Sequence, residues 1–203
     1  MKFTVLMPVY NTPAQHLFNA FFSILNQKNI SGYDILIVDD ASSNEETIRA
    51  LEFICNYPNV KCIRHETNRG SAAARNTGIA AIDTEYIALM DSDDISFPNR
   101  FRIQWDYIKA NKPDVLGTNL LSFTDETRRT SIFKSKHLEI PEFNAGWMVN
   151  QGTVFYKREV VLAVGGYNES LRRAQDIDLW KRINKAGYKL RNITEILYAW
   201  RRR

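Results

Sequence analysis

The chain has 203 residues, 44% hydrophobic and 25% charged, and its 27 basic against 23 acidic residues give a net charge of +4. That length and composition exclude a disordered, collagenous or coiled-coil chain and allow one domain with a sizeable core. The charge surplus is too small to point to nucleic acid, and Cys55 and Cys62 are too few for a secreted disulfide framework and have no zinc spacing, so they read as reduced core cysteines of a cytosolic protein.

Taken in order, Phe3 to Met7 is an apolar first strand, and a helix runs from Pro13 toward Gln27 behind a Thr12 cap. Asp34 to Val38 is a second, buried strand. Ser43 or Asn44 caps the next helix, through about Asn56, with Glu45 and Glu46 against its dipole. Val60 to Ile63 is a third strand, Ser71 to Ile82 an Ala-rich helix, and Tyr86 to Met90 a fourth strand ending in acid. Strands separated by helices of this length give parallel βαβ units.

The second half is less regular. A helix is expected over Pro98 to Lys109, strands over Asp114 to Leu121, Arg129 to Phe133 and Gly152 to Tyr156, and a short helix over Arg158 to Val164. Ala174 to Lys185 is amphipathic, with Ile177, Trp180, Ile183 and Asn184 near one face, and Gly187 ends it. A last strand is expected over Lys189 to Ile193. From Lys181 to Arg203 there are eight Lys or Arg against one acid, Glu195. That end is either a solvated helix face with a frayed tail or a basic patch facing anionic lipid or substrate. No stretch approaches the ~20 apolar residues that span a bilayer.

In an open α/β sheet, ligands bind outside the carboxyl ends of the strands. Those ends carry Pro8-Val9-Tyr10-Asn11, then Asp39-Asp40, then Asn68-Arg69-Gly70, then Asp91-Ser92-Asp93-Asp94. Three carboxylates in four residues repel one another unless a cation or several N–H groups hold them, and hard oxygens suit Mg2+ or Mn2+. Asp94 or Ser96 could instead cap the helix near Pro98. Asp39 can fix a turn, or one acid of that pair can accept hydrogen bonds from a nucleobase or ribose. Arg75 can reach an anion or pair with Asp39 or Asp40. His16, His65 and His137 share no motif with Ser or Cys and read as ordinary histidines. GxGxxG after the first strand, GxxxxGK[ST] and GxSxG are absent, which excludes the common dinucleotide, P-loop and hydrolase sites.

Together with Val38 to Ser42, the run from Asn68 to Gly78, Gly152 to Arg158, Gly165 to Glu169 and Gln175 to Arg182, these residues resemble the family 2 glycosyltransferases, of GT-A fold. The matching pieces run in order over nearly the whole chain. The resemblance implies an α/β fold with a Rossmann-like, mostly parallel sheet flanked by helices and a mixed or antiparallel acceptor-side half. It implies a nucleotide-sugar half over 1–112 and an acceptor and catalytic-base half over 113–203 of the same domain. The donor is expected to be a UDP-sugar, with Pro8, Tyr10, Asp39, Asp40, Asn68 and Arg75 around the nucleotide. Asp91 is expected near the ribose, and Asp93 on a Mn2+ or Mg2+ that binds the diphosphate. Asp176 matches the base of an inverting transfer to a carbohydrate or lipid-linked acceptor. The protein is expected in the cytoplasm, with peripheral contact at the inner membrane face through its basic end and no nucleic acid partner.

Two departures stand out. Gln175 replaces the usual Glu before the base, and Arg203 stands where relatives often place a metal-binding His. They motivate the second reading, a noncatalytic nucleotide-sugar-binding domain of a larger assembly. Asn111 to Gly146, with Trp147 and Met148, is expected to line the acceptor side.

Overall fold

The computed structural model describes residues 3–125, 130–133 and 149–202. Parallel strands β1 (Phe3–Val9), β2 (Asp34–Asp39), β3 (Val60–Arg64) and β4 (Tyr86–Leu89) alternate with helices α1 (Ala14–Leu25), α2 (Glu45–Ile54) and α3 (Ser71–Ala81). The chain continues through β5 (Ile95–Ser96), α4 (Arg100–Asn111), β6 (Val115–Phe123), β7 (Thr130–Phe133), a 3-10 turn (Gln151–Thr153) and β8 (Phe155–Lys157). It closes with α5 (Arg158–Ala163), α6 (Gln175–Lys185) and β9 (Leu190–Arg201). Among the described residues these strands form one nine-stranded sheet, ordered β3-β2-β1-β4-β8-β6-β9-β5, with β7 beside β6. The first half is parallel. In the second, β8 pairs antiparallel to β4 and β6, and β9 runs parallel to β6.

Side-chain alternation along the buried strands builds two cores. Phe3, Val5, Met7 and Val9 of β1 pack with Leu17, Phe21 and Ile24 of α1 and Phe101 and Ile108 of α4. Leu6, Leu36 and Val38 pack on the other side with Ala72, Ala74 and Ile79 of α3 and Leu179, Trp180 and Ile183 of α6. Helix α1 buries Leu17, Ala20, Phe21 and Ile24, and α2 buries Thr47, Ala50, Leu51 and Ile54. Both sets follow the three-and-four spacing of one helical face. Gly78 lets α3 lie directly on β1, because a Cβ there would overlap the Leu6 side chain.

Several expectations need correction. Cys55 and Cys62 are not reduced core residues: they form a disulfide, with Cα atoms 6.0 Å apart, and neither is buried. The cap of α2 and strand β3 run side by side there, a proximity that their spacing in sequence does not reveal. Thr12 does not cap α1; its hydroxyl meets Ser92 Oγ at 2.6 Å, and Pro13 precedes the helix without a side-chain cap. Of the two caps offered for α2, Asn44 serves, accepting from Thr47 N at 3.0 Å. Neither Asp94 nor Ser96 caps α4, whose N-cap residue is Asn99. Residues 152 and 153 turn in a 3-10 helix before β8 begins. The inward face of α6 is Leu179, Trp180 and Ile183, while Ile177 is exposed.

The C-terminal end is not a frayed tail. Strand β9 continues to Arg201 past a bulge at the exposed Thr194-Glu195 pair, and those polar residues hid its length. Arg182 pairs with Asp178 at 2.6 Å and Arg201 is buried, so part of the basic run is neutralised within the fold. His137, Arg203 and half of the expected acceptor-side stretch lie outside the described residues.

Candidate active site

The ends of β1, β2, β3 and β4 converge on one rim. After β1, Asn11 takes a left-handed conformation, φ 48°. Its side-chain oxygen accepts from Ser43 N at 2.7 Å and Asn44 N at 2.9 Å, latching the first loop to the second. Pro8 lies half-buried in β1, and Tyr10 stands 49% exposed on the rim.

After β2, both carboxylates turn inward. Asp39 accepts from Ser42 N at 2.9 Å and pairs with Arg64 at the end of β3. Asp40 is 2% exposed. It accepts from His65 Nδ1 at 2.7 Å, Asn68 Nδ2 at 3.0 Å, Arg69 N at 2.9 Å and Gly70 N at 2.7 Å. Its carboxylate thus shapes the whole 68–70 turn into α3. Gly70 sits there at φ 91°, a conformation that suits glycine. His65 is a buried core histidine with both ring nitrogens engaged: Nδ1 donates to the Asp40 carboxylate, and Nε2 lies 2.9 Å from Thr77 Oγ1. Its position one residue beyond β3 is the sequence signal that puts it at the rim.

Arg75 pairs with neither Asp39 nor Asp40. Its Nη2 donates to Asp91 at 2.9 Å, and its guanidinium lies 5.6 Å from the centre of the Tyr167 ring. The Gln151 amide oxygen, oriented by the same donors, accepts from Nη2 at 2.7 Å and Nε at 2.8 Å. The spacing sets the arginine one turn into α3, which allows several acids; strand β4 lies next to β1, and Asp91 after it is the acid that Arg75 meets. Burial alone would lower the basicity of Arg75, but Asp91 and the two tyrosines around it outweigh that and raise it.

The acidic loop after β4 is held by β9. Tyr198 Oη accepts from Asp91 N at 3.2 Å, Arg201 Nε donates to the Asp93 carbonyl at 2.7 Å, and Arg201 N donates to Asp94 Oδ1 at 2.7 Å. Burial, then the Asp91 charge, pushes Asp94 up to about 8. An open cavity of about 490 Å3 lies beside Asp93, lined by Asp93, Trp200, Arg201 and Arg202.

No group of three His, Cys, Asp or Glu side chains suited to a metal occurs among the described residues. Asp93, at the cavity, and the half-buried Asp91, which also pairs with Arg75, are hard oxygen donors. That donor set fits a Mg2+ or Mn2+ that takes its remaining ligands from phosphate and water, as such ions commonly do.

Asp176 opens the inward stripe of α6, three and four residues ahead of Leu179 and Trp180. It does not cap its helix; the N-cap residue is Ala174, in a left-handed conformation, with no side-chain cap. Asp178, off that stripe, pairs with Arg182. The Tyr167 hydroxyl lies in the field of Arg75, Asp176 and Asp91, and its ionisation is pushed up chiefly by burial.

A nine-stranded mixed sheet flanked by helices, with acids and a glycine turn at one rim, defines an α/β scaffold with a candidate ligand site at its strand ends. The model of the glycosyl transferase family 2 matches residues 4–162, and the chain belongs to that family. It is 30% identical over 208 residues to the protein of Bacillus subtilis (strain 168) named "Putative glycosyltransferase EpsE". That match covers 98% of this chain and 73% of EpsE. It is 33% identical over 108 residues to the Escherichia coli protein named UDP-Glc:alpha-D-GlcNAc-diphosphoundecaprenol beta-1,3-glucosyltransferase WfgD, covering 53% of this chain and 41% of WfgD. The fold matches S. aureus TarS 1-349 in complex with UDP-GlcNAc at a TM-score of 0.80 and 21% identity, over all of this chain and 59% of that one. The α/β, GT-A-type architecture expected from the sequence is thus observed.

Proposed function

We propose that this chain transfers one sugar from a UDP-sugar to a hydroxyl of a carbohydrate or lipid-linked acceptor, with inversion, in bacterial surface polysaccharide or glycolipid synthesis. The observation that carries the reading is Asp176. It is a half-buried carboxylate on the inward stripe of α6, neither capping its helix nor, among the described residues, held in an ion pair, one residue past the hydrogen bond that joins Gln175 to Ser71 at the start of α3. The names of WfgD and of the TarS complex support a UDP-linked donor, and WfgD's name supports a lipid-linked acceptor.

In this reading residues 1–112 hold the donor and 113–203 the acceptor and base. The exposed Tyr10 ring stacks on the nucleobase, beside Pro8. Asp39 and Asp40 act through the loops they shape, so Asn68 and the 68–70 backbone present the recognition surface. Arg75 orients Asp91 toward the ribose. Asp93, with Asp91 beside it, would hold the metal. A bound Mn2+ or Mg2+ neutralises charge developing on the leaving diphosphate. Asp176 takes the proton of the acceptor hydroxyl as that oxygen bonds to the sugar C1. The bond from C1 to the diphosphate oxygen breaks in the same step, and its electron pair leaves with UDP. One carboxylate suffices because no sugar–enzyme bond forms.

No helix among the described residues is long and apolar enough to cross a membrane. Action in the cytoplasm, with peripheral contact at the inner membrane face through exposed cations such as Lys185, Lys189 and Arg202, is part of the proposal. It rests on the substrate class and no longer on the cysteines.

The test is calorimetric binding of UDP, GDP and TDP with and without Mn2+, repeated on Asp93→Ala, followed by UDP release from a panel of UDP-sugars. Metal-enhanced UDP binding that Asp93→Ala removes is the expected result. Binding without turnover across a broad acceptor panel favours the noncatalytic reading, and no nucleotide binding at all refutes both.

A further inference from the structure

The starts of α3 and α6 are joined by a polar seam. Ser71 Oγ, on the first residue of α3, donates to Gln175 Oε1 at 2.9 Å, and Gln175 Nε2 donates to the Leu171 carbonyl at 2.6 Å. The Leu171 carbonyl is an obligate acceptor, so it fixes which end of the amide faces which partner. Beside this bridge, Asn76 Nδ2 donates to the Tyr167 carbonyl at 2.8 Å, Asn76 Oδ1 accepts from Tyr167 N at 2.8 Å, and Arg69 pairs with Glu169 at 3.3 Å. On the α3 side the seam continues into the turn that Asp40 organises through Arg69 N and Gly70 N. On the α6 side it ends one residue before Asp176.

We infer that Gln175 is a positioning residue that fixes the Asp176 carboxylate against the nucleotide-binding turn. This inference rests on the proposed base role of Asp176. Few other constraints hold that helix start: Ala174 is in a left-handed conformation and no side chain caps α6. The bridge needs a residue that accepts from Ser71 and donates to Leu171, which an amide does and an ionised carboxylate does not. An amide also adds no charge beside Asp176. The other charges near that carboxylate are the Arg75–Asp91 pair behind the Tyr167 phenol, the Asp178–Arg182 pair on α6, the Arg69–Glu169 pair of the seam, and exposed Arg172 and Arg173 on the preceding loop. Glu at position 175 would lose the bond to Leu171 and add a like charge, so Asp176 would hold its proton to higher pH.

The experiment uses the full chain with its UDP-sugar donor and reads UDP release against pH, donor KM, UDP affinity and melting temperature for Gln175→Glu, Gln175→Ala and Ser71→Ala. For Gln175→Glu the expected result is a fold melting near the wild-type temperature and an acid limb of kcat/KM raised by roughly half a unit to one unit. Gln175→Ala is expected to lower kcat about tenfold with UDP affinity within about twofold, since geometry near the reacting atoms is lost while the nucleotide site stays. Ser71→Ala should lower kcat less and leave the pH limb in place. An unmoved acid limb in Gln175→Glu with unchanged kcat in Gln175→Ala overturns the inference. So does a Gln175→Ala defect confined to donor KM. Wild-type turnover in Asp176→Asn instead removes the base reading on which the inference stands.

Discussion

The carboxylates of the β-strand rim and the carboxylate at the start of α6 are the same chemical group in opposite situations. Asp39 and Asp40 are buried, and each accepts from backbone N–H groups and from a guanidinium or an imidazole, so that their oxygens define loops. Asp176 is half-buried, on an inward stripe, with no cap or ion pair among the described residues. A buried acid with a full set of donors is an architectural element, because removing it strands those donors. An acid left without such donors can still accept a proton. The difference predicts that substitutions in the first region report mainly in stability and nucleotide affinity, and substitutions in the second mainly in turnover.

The largest effect should come from Asp176→Asn. A general base contributes on the order of 10² to 10⁴ in rate, so kcat should fall by about a thousandfold while the melting temperature stays near wild type. UDP release and a thermal melt measure the two sides. A large drop in melting temperature would break the comparison, because Asp176 would then be architectural too.

Asp40→Ala should show the converse. It strands His65 Nδ1 and the N–H groups of residues 69 and 70, so a loss of about 3–4 kcal/mol is expected in urea unfolding, with UDP affinity falling alongside. A loss below about 1 kcal/mol would mean that water satisfies those donors and the turn is not built on Asp40.

The same contrast explains what was legible in the sequence. The βαβ order of the first half followed from periodicity and turn residues, and strand ends located the rim. Which carboxylate oxygens are engaged did not follow, since that depends on chain segments distant in sequence. Asp40 meets residues 65 to 70, and Arg75 meets Asp91 and Gln151 because sheet order, not sequence order, sets neighbours. The second half was less readable because β9 carries a polar bulge and β8 only three residues. In the sequence, resemblance alone points to Asp176. Its spacing to Leu179 and Trp180 held the same information, but the inclusion of exposed Ile177 in the inward face obscured it.

Arg75→Met sharpens the boundary between the regions. The substitution keeps the aliphatic bulk and removes the charge, leaving Asp91 unpaired near Asp94. Asp91 is partly exposed, so solvent softens the cost in stability. UDP affinity should fall about tenfold in calorimetry, the scale of one charge-assisted hydrogen bond. An unchanged affinity would assign Arg75 to packing against Tyr167 and detach the β4 acids from the donor site.

The smallest effect is expected at Gly78→Ala, which tests whether the rim depends on how closely α3 lies on the sheet. The added methyl would overlap Leu6, a fully buried side chain of β1, so either that side chain or the helix must shift. Overpacking of this kind costs about 1–3 kcal/mol, offset in part by the better helix propensity of alanine. The net loss should be about 1 kcal/mol by urea unfolding. Because the 68–70 turn leads directly into α3, any helix shift moves that turn as well, so UDP affinity should drop two- to threefold while kcat at saturating donor holds. If kcat falls instead, the displacement has crossed the seam between Ser71 and Gln175 and reached Asp176. The two regions would then be mechanically one.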